Sequence, residues 1–299
     1  MPSPRQAVHS SGTHGFRGKY TPGLNNASEM RNCCEKSHSH FCGAGFRLGP
    51  GHGHGFGDWS RLPCQDVAMS IPAIELMTTL RSGHSTSPRL TWYGPDAERV
   101  ELSGRVLDNW VAKTSNLLQD ELDAEPGMRV NLDLPAHWKS VIWALAAWQL
   151  GMETVLDGGD ADYLVTDRPE QTGNHDAVIA VALPALAMRW PGELPSGFID
   201  YASEVRSHGD VFMAHTDPSE SGRAIRGSDG RQHLHEDLLT GFAAPHEEGV
   251  RLLVAAADGL EAALSNSLGA WRSGGSVLLA HADVDLTDKL LATERIHGK

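Results

Sequence analysis

Residues 251–280 read RLLVAAADGLEAALSNSLGAWRSGGSVLLA, and this stretch decides the fold class. Arg251 to Ala256 has the composition of a strand covered on both faces. Asp258 is expected to cap a helix carrying Leu260, Ala263, Leu264, Ser267, Leu268 and Trp271 at helical spacing. Gly274-Gly275 stops that helix, and Ser276 to Ala280 supplies a second apolar strand. A strand–helix–strand unit of this length implies parallel strands joined by a right-handed crossover. The fold class is therefore α/β, a mostly parallel sheet with flanking helices.

The same alternation runs upstream. Ser103 is an N-cap candidate for a helix bearing Leu107, Trp110, Val111, Thr114, Leu117, Leu118 and Leu122. Pro126-Gly127 breaks the chain, and Val130, Leu132 and Leu134 then alternate with Asn131 and Asp133 as in a half-buried strand. A second helix carries Val141, Ile142, Leu145, Ala146 and Trp148 up to Gly151, a C′ glycine. Short strands are expected at 153–156, 162–166, 177–183 and 210–214, with helices near 198–207 and 235–242 and a last one opened by Asp285 or Thr287. Gly158-Gly159 reads as a turn, because no G-x-G-x-x-G pattern precedes a helix. No G-x-S-x-G elbow occurs, so a serine hydrolase has no support. Trp110, Trp138, Trp143, Trp148 and Trp271 are expected in the core or at an interface.

Composition divides the chain near Met69. Residues 1–68 hold 11 of the 32 Gly, 6 of the 16 His and all 4 Cys, contain no Ile, and include only Val8, Val67, Leu24, Leu48 and Leu62 as Val and Leu. So little apolar surface does not offset the entropy of ordering a chain, so the segment is expected to be disordered and dispensable. Met69-Ser-Ile-Pro72 opens the globular part and would serve as a natural start. Residues 1–68 carry 7 Lys/Arg against 4 Asp/Glu, a net +3; the whole chain carries 25 against 38, leaving 18 against 34, or −16, for residues 69–299. A body this acidic suits neither a nucleic-acid backbone nor an anionic membrane surface. No apolar run approaches the length of a membrane span, and residues 69–299 contain no Cys, so the cytoplasm is the expected compartment.

The order of motifs over residues 90–299 resembles the N-terminal part of the adenylate-forming superfamily, the acyl-CoA synthetases and other AMP-binding enzymes. The likeness rests on Arg89-Leu-Thr-Trp-Tyr93, the 103–122 helix, and Glu125-Pro-Gly-Met-Arg-Val-Asn-Leu-Asp-Leu-Pro135. It continues through Trp143-Ala-Leu-Ala-Ala-Trp-Gln-Leu-Gly-Met152, Asp162-Tyr-Leu-Val-Thr-Asp167, Asp210-Val-Phe-Met-Ala-His-Thr216 and Gly259 to Leu279. Within that group the chain most resembles a short uncharacterised family with distant similarity to AMP-binding enzymes. The resemblance implies a truncated form of their N-terminal domain over 69–299, with ATP or AMP as the implied ligand. It implies a nucleotide site at Thr216, Ser219, Ser221, Gly222 and His235, the positions matching the relatives' phosphate loop and the Ser/Thr-His that follows it.

The departures bear on function. The relatives' loop ends in Pro-Lys-Gly, whereas here no Lys occurs between Lys139 and Lys289, and Asp217 and Glu220 place negative charge where a triphosphate would sit. Arg223 and Arg226 are the nearby cations that would offset it. The relatives' adenine motif, hinge and C-terminal domain with its catalytic lysine are not found before Lys299. Adenylation depends on positioning and on stabilising phosphate charge, so no catalytic residue is assigned. The leading expectation is a non-catalytic relative acting as a binding or interaction protein. The alternative is a nucleotide- or acyl-ligand-binding enzyme with a rebuilt loop over 216–230. The apolar runs at 252–254 and 277–279 would need covering in a chain matching only part of its relatives, so a homo-oligomer or a protein partner is expected.

Metal candidates are few. Cys33, Cys34, Cys42, His38 and His40 offer zinc-ligand atoms at a spacing matching no familiar finger, and His52 and His54 offer less. His233-Leu-His235-Glu-Asp237 reads as the polar start of a helix. No metal site is assigned.

Overall fold

The structure, a computed structural model, describes residues 71–83, 85–170 and 173–296. The boundary at 68/69, the expected disorder of residues 1–68 and the cysteine–histidine cluster at 33–42 lie outside the described residues. Among the described residues no helix is long and apolar enough to cross a membrane.

Two sheets form where the sequence pattern suggested one. Helix α1 (Pro72–Ser82) leads into a hairpin of β1 (Pro88–Tyr93) and β2 (Arg99–Ser103). Ser103 then caps α2 (Gly104–Leu122), its Oγ accepting from Val106 N at 3.3 Å. The hairpin joins the C-terminal unit, β10 (Arg251–Ala255), α5 (Leu260–Arg272) and β11 (Ser276–Ala280), in a four-stranded sheet of order β10-β11-β1-β2. Only the β1–β2 pair in it is antiparallel.

The larger sheet is built from the middle of the chain: β3 (Arg129–Asp133), β4 (Glu153–Val155), β5 (Tyr163–Thr166), β6 (Ala177–Ala180), β7 (Ile199–Asp200), β8 (Arg223–Arg226) and β9 (Gln232–Leu234). Its order is β7-β6-β5-β3-β4-β8-β9, parallel except for β8–β9. The expected class, mostly parallel α/β, holds in both sheets.

Helix α3 (Trp138–Gln149) is the hub. Every one of its residues is buried, and it touches α1, α2, α5 and strands of both sheets. A helix apolar on all sides belongs in the middle of a protein. Trp143 packs on Tyr201, the first residue of the short α4 (Tyr201–Glu204), at 4.9 Å between ring centroids, and the Tyr201 hydroxyl hydrogen-bonds Thr114 Oγ1 at 2.8 Å. Gly151, at φ 79°, ends the helix as its C′ residue. Two glycines permit close backbone approach: a Cβ on Gly104 would stand 2.0 Å from Leu80 O, and one on Gly269 1.8 Å from Ala244 O.

Four local expectations fail for physical reasons. Residues 210–214 form no strand. They run extended along α2, where Asn116 Nδ2 donates to Gly209 O and Val211 O, and Gln119 Nε2 donates to Met213 O. Val211 and Met213 face solvent at 76% and 78% exposure. Residues 235–242 give only a π turn, Leu238–Phe242. Asp258 lies in a 3-10 turn, and Gly259 at φ 91° takes the N-cap position of α5 without a side-chain bond. In β10 only Val254 is fully buried, since that strand is a sheet edge, whereas Val277 to Ala280 of β11 are buried.

Candidate functional site

The carboxyl ends of parallel strands are where α/β sheets present ligand sites, and here the two sheets turn such ends toward one cleft. Trp92 comes from the end of β1, Pro135 to His137 from the turn after β3, Leu183 to Leu186 from the loop after β6, and His281 from the residue after β11. The cleft measures about 820 Å³, and its walls are mostly apolar. That volume and character suit a small molecule.

Two charged side chains hold the cleft open in one shape. Glu98, in the β1–β2 turn, accepts from Trp92 Nε1 at 2.8 Å and from Ala185 N at 2.6 Å. It therefore ties the four-stranded sheet to the loop that walls the other side. Gly94 must lack a Cβ, which would fall 2.6 Å from Trp92 Nε1 and 2.8 Å from Glu98 Oε2. From the opposite direction Lys139, 3% exposed, donates from Nζ to Ala182 O at 2.5 Å and Pro184 O at 3.0 Å. Burial pushes its amine down to about 8; Glu98 opposes that shift and Arg206 reinforces it.

Two imidazoles, His137 and His281, are among the polar groups that line the cleft. His137 caps α3, its Nδ1 accepting from Lys139 N at 3.1 Å. Burial, with the charges of Lys139 and His281, brings its pKa down to about 3, so it is neutral at pH 7. His281 repeats the device: its Nδ1 accepts from Asp283 N at 3.2 Å. Both rings flank the Trp92 indole, at centroid distances of 4.5 and 6.1 Å. Arg99 also lines the cleft but is engaged by Glu101 at 2.7 Å and Glu294 at 2.9 Å.

The residues implied by the phosphate-loop resemblance lie elsewhere. Gly151 and Gly222 precede β4 and β8, so the 216–222 segment sits at the amino ends of the parallel strands, opposite the cleft. Ser219, Ser221, Gly222 and His235 are gathered there: Ser219 Oγ is 3.0 Å from Ser221 Oγ, Gly222 N donates to Ser219 O, and His235 N donates to Gly222 O. Thr216 stands apart, lining a pocket of about 100 Å³ with Gln119, Glu125 and His215. The His235 ring is fully buried, and neither nitrogen has a hydrogen-bond partner among the described residues. Burial holds its pKa below the usual value, while the nearby Gly151 backbone acts in the opposite sense. Arg223 and Arg226 do not converge: Arg223 is exposed at the start of β8, whereas Arg226, at its other end, is paired with Asp157 at 3.2 Å. His233 packs on Phe242 at 5.4 Å, and among the described residues no group of three or more His, Cys, Asp or Glu is placed to hold a metal.

No sequence motif marks His137, His281, Lys139 or Glu98. The available signal is positional: His137 and His281 follow the apolar strands ending at Leu134 and Ala280.

No family model matches the chain. It is 32% identical over 220 residues to a TIGR03089 family protein of Mycobacterium tuberculosis (strain ATCC 25618 / H37Rv), an alignment covering 70% of this chain and 89% of that protein. Among solved structures it resembles an acyl-CoA synthetase of Brucella canis, with TM-score 0.59, 17% identity and coverage of 77% of this chain and 46% of that one. It also resembles the N-terminal domain of FACL13 from Mycobacterium tuberculosis, with TM-score 0.53, 17% identity, and coverage of 74% and 61%. A third likeness is to coronafacic acid ligase from Pectobacterium brasiliense, with TM-score 0.55, 12% identity, and coverage of 73% and 47%. The chain thus spans roughly half the length of these structures, and at such identities the likeness is one of fold: that of the adenylate-forming acyl-CoA synthetases.

Proposed function

The chain belongs to the TIGR03089 family, and from its cleft we propose that it binds an apolar small molecule beside Trp92 and does not itself form adenylates. The observation that carries this reading is the cleft: about 820 Å³, at the carboxyl ends of β1, β3, β6 and β11, its shape fixed by Glu98 and Lys139. The non-catalytic half rests on residues 216–230, which contain no lysine, carry Asp217 and Glu220, and have Arg226 engaged by Asp157. Stabilising phosphate charge needs convergent cations or amides.

One observation favours the alternative, a nucleotide- or acyl-ligand-binding enzyme with a rebuilt loop. The His235 ring is buried against Gly222, in the segment that a rebuilt loop would use.

Thermal unfolding of the full chain with medium-chain acyl and aryl compounds tests the first reading. A ligand at 100 times its Kd stabilises by about 2.7 kcal/mol, which raises the midpoint of a domain this size by roughly 5–10 °C. Leu186→Asp should weaken the effect about tenfold in Kd without lowering the ligand-free midpoint, because Leu186 lines the cleft yet is 91% exposed. If no compound in the panel raises the midpoint, the cleft is not a binding site. Pyrophosphate–ATP exchange with the same acids should stay at background. Exchange above background that vanishes in Arg223→Ala would replace this reading with the rebuilt-loop alternative.

A further inference from the structure

His137 and His281 belong to different sheets but are built alike. Each directly follows the carboxyl end of a parallel strand or its turn, and each has Nδ1 occupied by the backbone N–H two residues on. An imidazole whose Nδ1 accepts a hydrogen bond carries its proton on Nε2. Nε2–H is therefore the group each ring has left to offer, and neither Nε2 has a hydrogen-bond partner among the described residues.

The charges around the cleft select among acceptors. Asp96, Glu98 and Glu101 stand along it, and Arg99, its one lining cation among the described residues, already serves Glu101 and Glu294. A free carboxylate entering the cleft meets like charge and no free cation. An uncharged carbonyl meets two N–H donors. His137 is also the N-cap of α3 and stays neutral, and a neutral imidazole at a helix N-terminus is suited to donating to a carbonyl.

We propose that His137 and His281 form a paired hydrogen-bond donor that selects uncharged apolar carbonyl compounds, amides or esters, over the corresponding free acids. This rests on the ligand-binding reading of the cleft. A buried site designed around a hydrogen bond discriminates strongly, because an analogue lacking the acceptor leaves its donors unpaired.

Titration calorimetry on the full chain with 4-ethylbenzamide, 4-ethylbenzoate and 4-ethyltoluene tests it. The amide should bind about tenfold more tightly than the other two. His137→Asn, whose Oδ1 can still accept from Lys139 N, should bring the amide down to the affinity of 4-ethyltoluene. His281→Asn, at a half-exposed position, should weaken the amide severalfold with an unchanged unfolding midpoint. In the unsubstituted protein, proton NMR of the imidazole Nε2–H resonances should shift with the amide and not with 4-ethyltoluene, a readout that does not depend on any variant folding. Equal or tighter binding of the benzoate, or an unshifted Nε2–H resonance, overturns the inference and leaves the ligand-binding reading intact. Failure of all three compounds to bind overturns the ligand-binding reading itself.

Discussion

Trp148→Ala is expected to lower the unfolding free energy by about 4 kcal/mol and the thermal midpoint by on the order of 10 °C, within the range for emptying a buried aromatic site. Trp148 lies on α3 with no exposed surface. Its Nε1 donates to Ala224 O at 2.8 Å and to Thr154 Oγ1 at 3.1 Å, and Thr154 Oγ1 in turn donates to Ala224 O. The indole also meets Phe242 edge-on at 6.4 Å. Strand β8 pairs with β4 through only Thr154↔Ile225 and Val155↔Arg226, so the indole is a main staple joining the outer part of the large sheet to the core. The alanine variant leaves a cavity and removes the indole donor from Ala224 O and Thr154 Oγ1. Trp148→Phe keeps most of the volume and should cost about 1 kcal/mol, the value of a lost hydrogen bond, since Thr154 Oγ1 still donates to Ala224 O. Urea unfolding with an unchanged m-value measures both. If the alanine variant loses less than about 1 kcal/mol, β8 is not held through α3.

The parts of this fold that are legible in the sequence are those whose signals are local. Ser103 as a cap, the α2 and α3 periodicities, Gly151 as a C′ residue and the 251–280 unit each need only a dozen or two neighbouring residues to be read. The division into two sheets is not local. It depends on β1 pairing with β11, Leu90 opposite Val277, and nothing near Leu90 announces a partner so distant in the chain. The failure at 210–214 has another cause. The consecutive apolar residues Val211, Phe212 and Met213 fit a strand, but the groups that capture their backbone are the side-chain amides of Asn116 and Gln119 on α2. A polar residue on a helix is ordinarily solvated, so only the folded structure reveals these two as buried clamps.

The cleft is illegible for the same reason as the sheets. It is assembled from four strand ends lying far apart in sequence, and it carries no motif. The resemblance drew attention instead to Thr216, Ser219, Ser221, Gly222 and His235. In the structure that segment precedes β8, whereas a phosphate loop reached from the carboxyl end of a strand needs residues 210–214 to be that strand. The two observations are one: once 210–214 is strapped to α2, the loop after it is delivered to the amino side of the sheet.

His137 and Lys139 should together give the domain a stability that rises with pH in two separate windows. Both groups are almost completely buried, and both have folded-state pKa values depressed by that burial, to about 3 and about 8. Between pH 3 and the ordinary histidine value near 6.5, the unfolded chain binds a proton at His137 that the folded chain does not. Stability conferred by the neutral ring is therefore present above pH 6.5 and lost as pH falls. Between pH 8 and the ordinary lysine value near 10.5, the unfolded chain again holds the extra proton, so stability rises as the folded-state ammonium is discharged. Each window should be worth about 3 kcal/mol, less than full conversion of the histidine shift because the cleft admits water beside His137. Glu294 adds to the acid window: burial raises its pKa, but hydrogen bonds from Tyr93, Arg251 and Arg99 outweigh that and hold it low, so it too stabilises less as the solution turns acid. The test is therefore a difference between variants. Urea unfolding at pH 5, 7.5 and 10 should show the alkaline rise vanish in Lys139→Met and the acid loss shrink in His137→Asn. The two effects should not add, because the Lys139 charge is one cause of the His137 shift, so Lys139→Met should also make His137 easier to protonate. At pH 7.5 Lys139→Met removes a costly buried charge but abandons Ala182 O and Pro184 O, the backbone that walls the cleft. Its stability can thus stay near that of the parent while its ligand affinity falls. An alkaline rise that survives Lys139→Met would mean the ammonium is not the buried titrating group, and the clamp on the 182–185 loop would need another source.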